Sequence, residues 1–496
     1  MGWRDSLANW LAPNRNSLPF DIDDYPRGDF ERALESGETN RLNEGHWSAV
    51  RDQPINEAIA HRGNMVRARA NHESWNNPHD EGLVHQHTIA VVGENGPISS
   101  ITSLADGDDD WCESAQQVLD EWAGYCDAAG IDTLGTRIKN FWNRGCWVNG
   151  EWIDQLWYDR SANTTSQLRL HSVEPQRLCT PSDSANDESV TLGVHRTPTY
   201  APIRYYIADD WGFGYRGNWY PASRIMHGFE RREGSQARGV PWMQSGLPTS
   251  ADVRDYDDQV MDAARSFADH AIVAQTKHQD APYAPLAKNA RAQEIRRRRI
   301  NFLPPTWELA NLQANQPGAQ YKEHRQERLG SLGLGQGVPS MMVRLDARDH
   351  NYSSARFDRG NLHESARHVR ASIYNPKLTR LYRLVIAEAV LGGVLGPPPK
   401  FYTINHIWPA MPQIDEDKSS RAEERYLEIG TLSYSETCAM RHGRRGSDMI
   451  RERARDRRQL ASAGLPAMED LRNDGGDTKT AKKIAEEIKA TASDED

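Results

Sequence analysis

Histidine and aspartate residues at two places in the sequence have the types and spacing that a metal ion would need. His85 and His87 are two residues apart, so they would lie on one face of a strand as a pair of imidazole ligands. Because no acidic or cysteine partner is close in the sequence, a solvated pair is the favoured interpretation. Asp108, Asp109 and Asp110 could hold Mg²⁺, but three consecutive aspartates are more typical of a loop that begins a helix. We therefore predict no metal site.

The motifs of the common enzyme classes are missing from the sequence. It contains no GxxxxGKS or GxxxxGKT for ATP, no GxSxG nucleophile elbow and no HExxH. The segment GLGQGVP (Gly333–Pro339) lacks the GxGxxG spacing and does not follow a convincing strand, so a dinucleotide site is not expected. His363 and His368 are five residues apart in a predicted helix and do not share a face, which predicts ordinary helix-surface residues. The sequence predicts no catalytic residue and no cofactor.

Two basic runs could contact nucleic acid. The denser one consists of Arg296, Arg297, Arg298 and Arg299, which could bind DNA phosphates or an acidic partner, although a solvated turn or ion pairs between subunits is the favoured interpretation. The other, Arg441–Arg458, alternates with Glu and Asp over most of its length, so an exposed helix is favoured.

Composition limits the class of protein. The chain has 496 residues, 38% of them hydrophobic, a mean hydropathy of -0.78 and a net charge of -10. A polar chain this long predicts two to four folding units with much surface, or with apolar faces buried between subunits. The acidic balance argues against a protein that grips DNA through its phosphates. Five cysteines without a CxxC motif predict buried, reduced thiols, and no apolar run is long enough to span a membrane as a helix.

Hydrophobic periodicity divides the chain into helical and β-rich parts. It predicts a helix within residues 43–71, a strand at His87–Gly93, two helices over 112–147 and a β-rich region over 148–240. Thr249 and Asp252 have capping-box spacing and open an amphipathic helix of about 20 residues.

The C-terminal half is predicted to be mostly helical. A stretch with strand-like ends, AIVAQT and INFLPP, separates the amphipathic helix from a second helix near 319–329. A glycine-rich loop then leads to a long helix over 353–391, which Pro376 should kink or restart. Charged helices over 418–460 and a mobile polar tail follow.

Six segments, in order over about 300 residues, resemble segments of one known family. They are RARANHESWNNP (Arg67 to Pro78), VVGENGPI (Val91 to Ile98), WAGYCDAAG (Trp122 to Gly130), LHSVEPQRL (Leu170 to Leu178), PASRIMHGFERREGSQARGVPW (Pro221 to Trp242) and NYSSAR (Asn351 to Arg356). The fifth is the closest match: a strand with a central histidine, a polar turn, and then Arg-Gly-hydrophobic-Pro-Trp. From about residue 40 to 460 the chain resembles the lambda-type family of phage portal proteins.

The resemblance implies an α+β portal fold with a mixed α/β wing, a two-helix stem, a small clip with β structure, a long kinked helix and a helical crown. The implied parts are a flexible arm (1–40), the wing (41–249), stem helices at 250–271 and 319–334, the clip (272–318), a tunnel loop (335–352), the kinked helix and wing return (353–414), the crown (415–465) and a mobile acidic tail (466–496).

The resemblance also implies a function. Portal subunits form a ring, usually of twelve copies, through which double-stranded DNA enters and leaves the capsid without sequence recognition. The expected partners are a terminase motor, head-tail adaptors, and the major capsid and scaffold proteins, and the expected location is the portal vertex of the virion. Two alternatives stay open from the residues alone: a phage nuclease or other phosphoesterase, and another head-tail ring or scaffold protein.

The implied tunnel loop contains the residues that we expect nearest to DNA, namely Arg344, Arg348 and His350, although ion pairs between subunits are an equal alternative for them. The preceding Gly333, Gly335 and Gly337 would act as a hinge, since glycine adopts many backbone conformations without strain. The arginine run 296–299 lies in the implied clip, where it would meet an adaptor or a neighbouring subunit.

Overall fold

The structure is a computed structural model that describes residues 53–103, 105, 107–211, 216–269, 273–276, 307–310, 320–348, 351–410 and 416–463. The predicted arm, Arg296–Arg299, His350 and the predicted tail lie outside the described residues. The chain divides into two units, Met1–Pro54 and Ile55–Asp496, and every helix and strand given below belongs to the second unit.

Helices dominate the described residues. They are α1 (Ile55–Asn76), α2 (Pro78–Val92), α3 (Asp109–Tyr125), α4 (Leu134–Arg137), α5 (Arg144–Val148), α6 (Leu247–Asp269), α7 (Gln320–Ser331), α8 (Ser340–Arg344), α9 (Tyr352–Val369), α10 (Asn375–Leu391), α11 (Glu416–Ile429), α12 (Tyr434–His442) and α13 (Gly446–Ser462). Two π-helical turns each connect two helices into one longer helix. Ile138–Asn143 connects α4 to α5, and Arg370–Tyr374 connects α9 to α10.

In the part of the chain that the structure describes, the strands form four antiparallel groups. The strands are β1 (Ile98–Ser103), β2 (Glu151–Tyr158), β3 (Leu168–Val173), β4 (Val190–Thr191), β5 (Val194–Arg196), β6 (Pro202–Ala208), β7 (Gly217–Pro221), β8 (Ile225–Phe229), β9 (Val273–Thr276), β10 (Trp307–Ala310) and β11 (Tyr402–Ile407). Their orders are β3-β2-β8, β4-β5-β6-β7, β1-β11 and β9-β10. The predicted α+β class and the β-rich region over 148–240 are confirmed.

Two predictions about local structure are wrong. The predicted strand at His87–Gly93 is the end of helix α2, which Asn77 caps by accepting a hydrogen bond from the backbone N–H of His79. Several apolar residues of this run are buried where the helix packs against its neighbours. Because its apolar residues are consecutive, the run fits the two-residue period of a strand as well as the 3.6-residue period of a helix. Thr249 is no helix cap, because α6 begins two residues earlier at Leu247.

Other predictions hold with small shifts. The long helix runs on from α9 through the π-helical turn into α10, and Pro376 follows this turn directly, so the predicted interruption is a π-helical turn within one helix. The second helix after the β insert is α7, and the charged C-terminal region forms α11 to α13. The first strand of the insert, β9, agrees with AIVAQT, whereas INFLPP lies outside the described residues and β10 begins at Trp307.

Strand β2 is the centre of the fold because both of its faces are buried. Its neighbours β3 and β8 pair with it on either side, so that Ile153 lies opposite both Val173 and His227. On one face Trp152 stacks on Trp142, with ring centroids 3.9 Å apart, inside the larger apolar core. On the other face Ile153 joins a smaller core between the two larger sheets.

The same strand buries two carboxylates. Glu151 accepts hydrogen bonds from Arg67 (3.1 Å), Arg238 (2.7 Å) and the backbone N–H of Gly239 (2.8 Å), and it contacts His227 at 3.0 Å. Burial opposes ionisation of this carboxyl group, but the guanidinium groups of Arg238 and Arg67 hold its pKa well below the usual range.

Asp154, on the other face of β2, is neutralised in the same way. It forms an ion pair with the buried Arg137, which also pairs with Asp127, and it accepts a hydrogen bond of 2.6 Å from the indole N–H of Trp142. The two buried negative charges of β2 therefore hold three other parts of the chain in place. Glu151 holds α1 and the chain after β8, and Asp154 holds the helical segment that contains Arg137.

Glu151→Gln should lower the free energy of unfolding by about 3–5 kcal/mol, because two buried guanidinium groups would lose their counter-charge. The matched control is Glu81→Gln, which removes a half-exposed ion pair with Arg144 and should cost at most about 1 kcal/mol. Urea unfolding of both variants measures the difference. Equal small losses in the two variants would contradict the role given to Glu151.

Candidate channel region

Helices α6 and α7 form an antiparallel pair held by charged side chains. Arg325 of α7 binds Asp257 of α6 through Nε, 3.0 and 2.9 Å from the two carboxylate oxygens, and the Tyr321 hydroxyl donates to the same group at 2.7 Å. One turn away, Arg328 pairs with Asp252. The residue numbers rise along one helix as they fall along the other, and β9 and β10 continue the antiparallel arrangement beyond the helices.

The helix pair is anchored to α1 and α2. Arg254 of α6 pairs with Glu73 of α1, and Arg325 contacts the imidazole of His79 at 3.0 Å. At the start of α6 the Ser250 hydroxyl donates a 2.9 Å hydrogen bond to Asp80, whose side chain is buried. Burial raises the pKa of Asp80 to about 6, against the opposing effect of the Ser250 hydrogen bond.

Asp80 should make stability depend on pH. Its pKa in the folded protein lies above the ordinary value, so its contribution is fully present below about pH 4 and is lost as the pH rises through about 6. Asp80→Asn should remove this part of the pH dependence and raise the free energy of unfolding at pH 8 by about 2–3 kcal/mol relative to the wild type.

Urea unfolding between pH 4 and pH 8 measures this effect as the difference between the two proteins. Ser250→Ala serves as the control, because losing a hydrogen bond that lowers the pKa should make the decline with pH larger. A difference between wild type and Asp80→Asn that does not change with pH would contradict the assignment.

The glycine-rich segment after α7 is a tight turn. Its residues Leu334–Gln336 form one turn of 3-10 helix, and the Val338 N–H donates back to the Gly333 carbonyl at 2.9 Å. A Cβ on Gly333 would lie 2.6 Å from the Val338 carbonyl oxygen, and Gly337 has a left-handed φ of +66°. Close packing and backbone conformation therefore require glycine at these two positions. The hinge role of Gly333, Gly335 and Gly337 stays a prediction.

Two of the three predicted DNA-facing residues lie in the following segment. Arg344 is in the last turn of the short helix α8 and is partly exposed. Arg348 is exposed and bound to Asp346: its Nε lies 2.9 and 3.2 Å from the two carboxylate oxygens and its Nη2 lies 2.7 Å from one of them. These contacts with Arg348 hold the pKa of Asp346 well below its usual range. Between them Leu345 has a left-handed φ of +50° that ends α8.

The long helix begins with a capping box. The Asn351 side chain accepts from the Ser354 N–H at 2.9 Å, and the Ser354 hydroxyl accepts from the Asn351 N–H at 3.0 Å. Farther along α9, the Ser365 hydroxyl donates to the Gln336 carbonyl, which ties the glycine turn to the helix. The glycine turn and α8 are thus held between α7 and α9.

The histidines considered as metal ligands have other environments. His87 is fully buried between Trp147 and Trp242, and its Nδ1 accepts a 2.9 Å hydrogen bond from the Trp147 indole. Burial lowers the pKa of His87 to about 3, so it stays neutral, and the interpretation as a solvated pair is wrong for this residue. His85 is exposed. Among the described residues no group of three or more His, Cys, Asp or Glu is placed to hold a metal ion.

The remaining predicted features have mixed outcomes. Asp109 and Asp110 occupy the first turn of α3, as expected. Within the basic run 441–458, Arg445 is buried rather than exposed, because it binds Asp120 and the Ser99 carbonyl. Four of the five cysteines are buried and Cys179 is partly exposed. No helix in the described part of the chain is long and apolar enough to cross a membrane.

Sequence reasoning missed the charged contacts that organise this region. The pair Asp346 and Arg348 had a local signal, since an aspartate two residues before an arginine can bind it within one turn. The contacts of Asp257, Glu73 and Asp80 had none, because their partners are 68 to 181 residues away in the sequence.

Comparison with known proteins identifies the family. The sequence pattern of the family described as "Phage portal protein, lambda family" matches residues 40–371, about two thirds of the chain. No curated protein matches the chain.

Several solved structures are similar in part. The neck of an empty GTA particle shares 14% identity over 78% of this chain and 94% of that chain, with a TM-score of 0.42. The virion of a native gene transfer agent particle shares 15% over 82% and 97%, with a TM-score of 0.40. An HK97 family phage portal protein from Corynebacterium diphtheriae shares 12% over 58% and 82%, with a TM-score of 0.30. Likenesses this weak add nothing to the functional assignment, which rests on the family match.

The family match over residues 40–371 places the chain among the structural proteins of a phage particle rather than among the enzymes. The chain belongs to the lambda family of phage portal proteins. It is accordingly a head-tail connector protein of the portal vertex.

Proposed function

We propose that twelve copies of this chain form the ring through which double-stranded DNA is packaged and ejected. In this proposal α6 and α7 are the stem, the 272–318 insert between them is the clip, and residues 335–352 form the tunnel loop. The observation that carries the proposal is the family match over residues 40–371, together with the order of elements along the chain: helix, β insert, antiparallel helix, glycine turn, long helix.

Charge pairing explains how such a channel could let DNA slide. Phosphates adhere to cationic side chains, so a channel rich in unbalanced arginine would hold the duplex. In the helix pair Arg325 and Arg328 are each balanced by an aspartate of α6. In the proposed tunnel loop Asp346 balances Arg348 in the same way. The proposed channel therefore presents cations whose attraction for phosphate is weakened by a neighbouring carboxylate.

The proposed partners follow from the same arrangement. The terminase motor would dock on the clip during packaging, and head-tail adaptors would replace it afterwards, with Arg296–Arg299 as a contact. Major capsid and scaffold proteins would surround the ring. Gly333, Gly335 and Gly337 would let the tunnel loop, with Arg344, Arg348 and His350, follow the DNA.

Asp346→Asn should slow packaging, because it removes a negative charge beside Arg348 and so strengthens the attraction of this loop for phosphates in every subunit of the ring. We expect a several-fold lower rate at low salt that recovers as the salt concentration rises. The measurement is the length of DNA protected from nuclease over time in a reaction with capsids and terminase.

Two further variants make the test specific. With Asp346→Asn combined with Arg348→Gln, packaging should proceed at the wild-type rate, because the positive charge of Arg348 is removed together with the negative charge of Asp346. Glu230→Gln removes another acidic residue that pairs with an arginine two positions later, Arg232, but outside the proposed stem, clip and tunnel loop, and should leave the rate unchanged. Equal rates for wild type and Asp346→Asn at low salt would contradict the proposed position of this loop.

A further inference from the structure

A large groove lies between the long helix and the C-terminal helices. One wall is the face of α9 that runs on through the π-helical turn, and the other walls are the end of β11 and parts of α11 and α12. Its volume is about 1120 Å³. No role follows for this groove from the proposed channel, which involves the glycine turn and the helix pair instead.

The wall formed by the long helix is lined with positive charge. Its lining residues Arg356, Arg359, His363, Arg367 and Arg370 follow one another at spacings of three or four, which places them on one helix face.

The opposite wall adds further positive charge. It contributes Lys418 of α11 and Arg441 of α12. The lining includes one carboxylate, Glu423, which is already paired with Arg441 at 2.6 Å. Just outside the lining, the exposed Glu364 pairs with Arg367 at 3.2 Å, and Arg370 donates hydrogen bonds to the carbonyls of Val91, Ala90 and Pro409. A chain with a net charge of -10 thus concentrates cations along one groove.

Two residues of this stripe, His363 and Arg370, have lowered pKa values, mainly because they are buried. Burial lowers the pKa of His363, and the nearby Arg370 and Arg367 lower it further. The Nδ1 atom of His363 is buried and has no hydrogen-bond partner among the described residues. Burial together with Arg367 also lowers the pKa of Arg370 to about 10. An anionic group entering the groove would relieve this repulsion.

The lining suits a peptide better than a duplex. Between the cations lie the aromatic and aliphatic side chains of Tyr352, Trp408, Tyr426 and Met440, inside a walled cleft. Side chains of a peptide can enter such a cleft and bury apolar surface as well as charge, whereas the phosphates of a rigid duplex would reach only its rim.

We propose that this groove, the basic groove, binds the acidic segment Glu486–Asp496 of this same chain. That segment, EEIKATASDED, has five carboxylate side chains, one lysine and one isoleucine, and so complements both the charge and the apolar surface of the groove. The bound segment would join the long helix to the C-terminal helices by filling the space between them.

Chain length permits this contact. Helix α13 begins three residues after α12, which lines the groove, and its 17 residues extend about 26 Å. The 22 residues 464–485 separate the end of the described chain from the acidic segment. A chain of 22 residues can reach at most about 75 Å, which exceeds the length of α13, so the segment can return to the groove.

The test is carbodiimide cross-linking of the full chain, because this reagent joins a carboxylate to an amine as an amide with loss of the reagent as urea. Lys418 is the amine on the groove wall. Peptide mass spectrometry should find Lys418 joined to Glu486, Glu487, Asp494, Glu495 or Asp496. Arg356→Gln combined with Arg367→Gln should lower the yield of these cross-links several-fold, because the positive charge that attracts the segment is reduced.

The matched control replaces two arginines of α13 outside the groove, Arg455→Gln with Arg458→Gln, and should leave the yield unchanged. Circular dichroism of each variant checks that it is folded. Mixing nitrogen-14 and nitrogen-15 subunits before assembly should give cross-links within one label only.

Three outcomes would overturn the proposal. The first is the absence of Lys418 cross-links to the segment while other surface cross-links form. The second is cross-links that join the two labels, which would assign the groove to the segment of another copy. The third is protection of Lys418 from acetylation by duplex DNA that depends on Arg356 and Arg367, without segment cross-links, which would assign the groove to nucleic acid.

Discussion

Two carboxylates buried in one strand are the constraint on which the rest of this structure depends. Glu151 and Asp154 lie on opposite faces of β2, and an ionised group can stay in such a place only if cations and hydrogen-bond donors surround it. The chain supplies Arg67, Arg238 and Arg137 for this purpose. Several of the segments that resemble the portal family contain these partners, including RARANHESWNNP with Arg67 and the Arg-Gly pair at 238–239. The family-like pattern in the first half of the chain is thus in large part the set of groups that keep β2 charged and buried.

Local signals allowed much of the fold to be predicted. Residues close together in the sequence predicted the amphipathic helix α6 and the β-rich region. They also predicted the interruption of the long helix near Pro376. The segment at His87–Gly93 failed because its apolar residues fit a strand as well as a buried helix. The partners of Glu151 could not be predicted, since Arg67 and Arg238 are 84 and 87 residues away from it. Only packing of distant segments brings such groups together.

The candidate site was predictable to a smaller extent. The positions of the helix pair and the glycine turn could be inferred through the family resemblance, but the charge balance within them could not. Asp346 weakens the attraction of Arg348 for DNA, because a cation already bound to a neighbouring carboxylate is a weak ligand for phosphate. The arginines and His363 of α9 have helical spacing in the sequence, but the sequence alone predicted only ordinary surface residues there. The importance of this cationic face became clear only from the groove, since helix periodicity does not show what lies opposite.

Portal function requires a closed ring, and that is the central claim. Several apolar side chains of the C-terminal helices outside the basic groove are exposed in the single chain, among them Leu427, Ile429 and Ile450, and assembly would cover such surface. The most direct measurement is the mass of the purified full-length protein by native mass spectrometry, with negative-stain images of the same sample. The account predicts rings of about twelve subunits with a central hole, the number implied by the family. A compact monomer or dimer that persists across salt and protein concentration would contradict it.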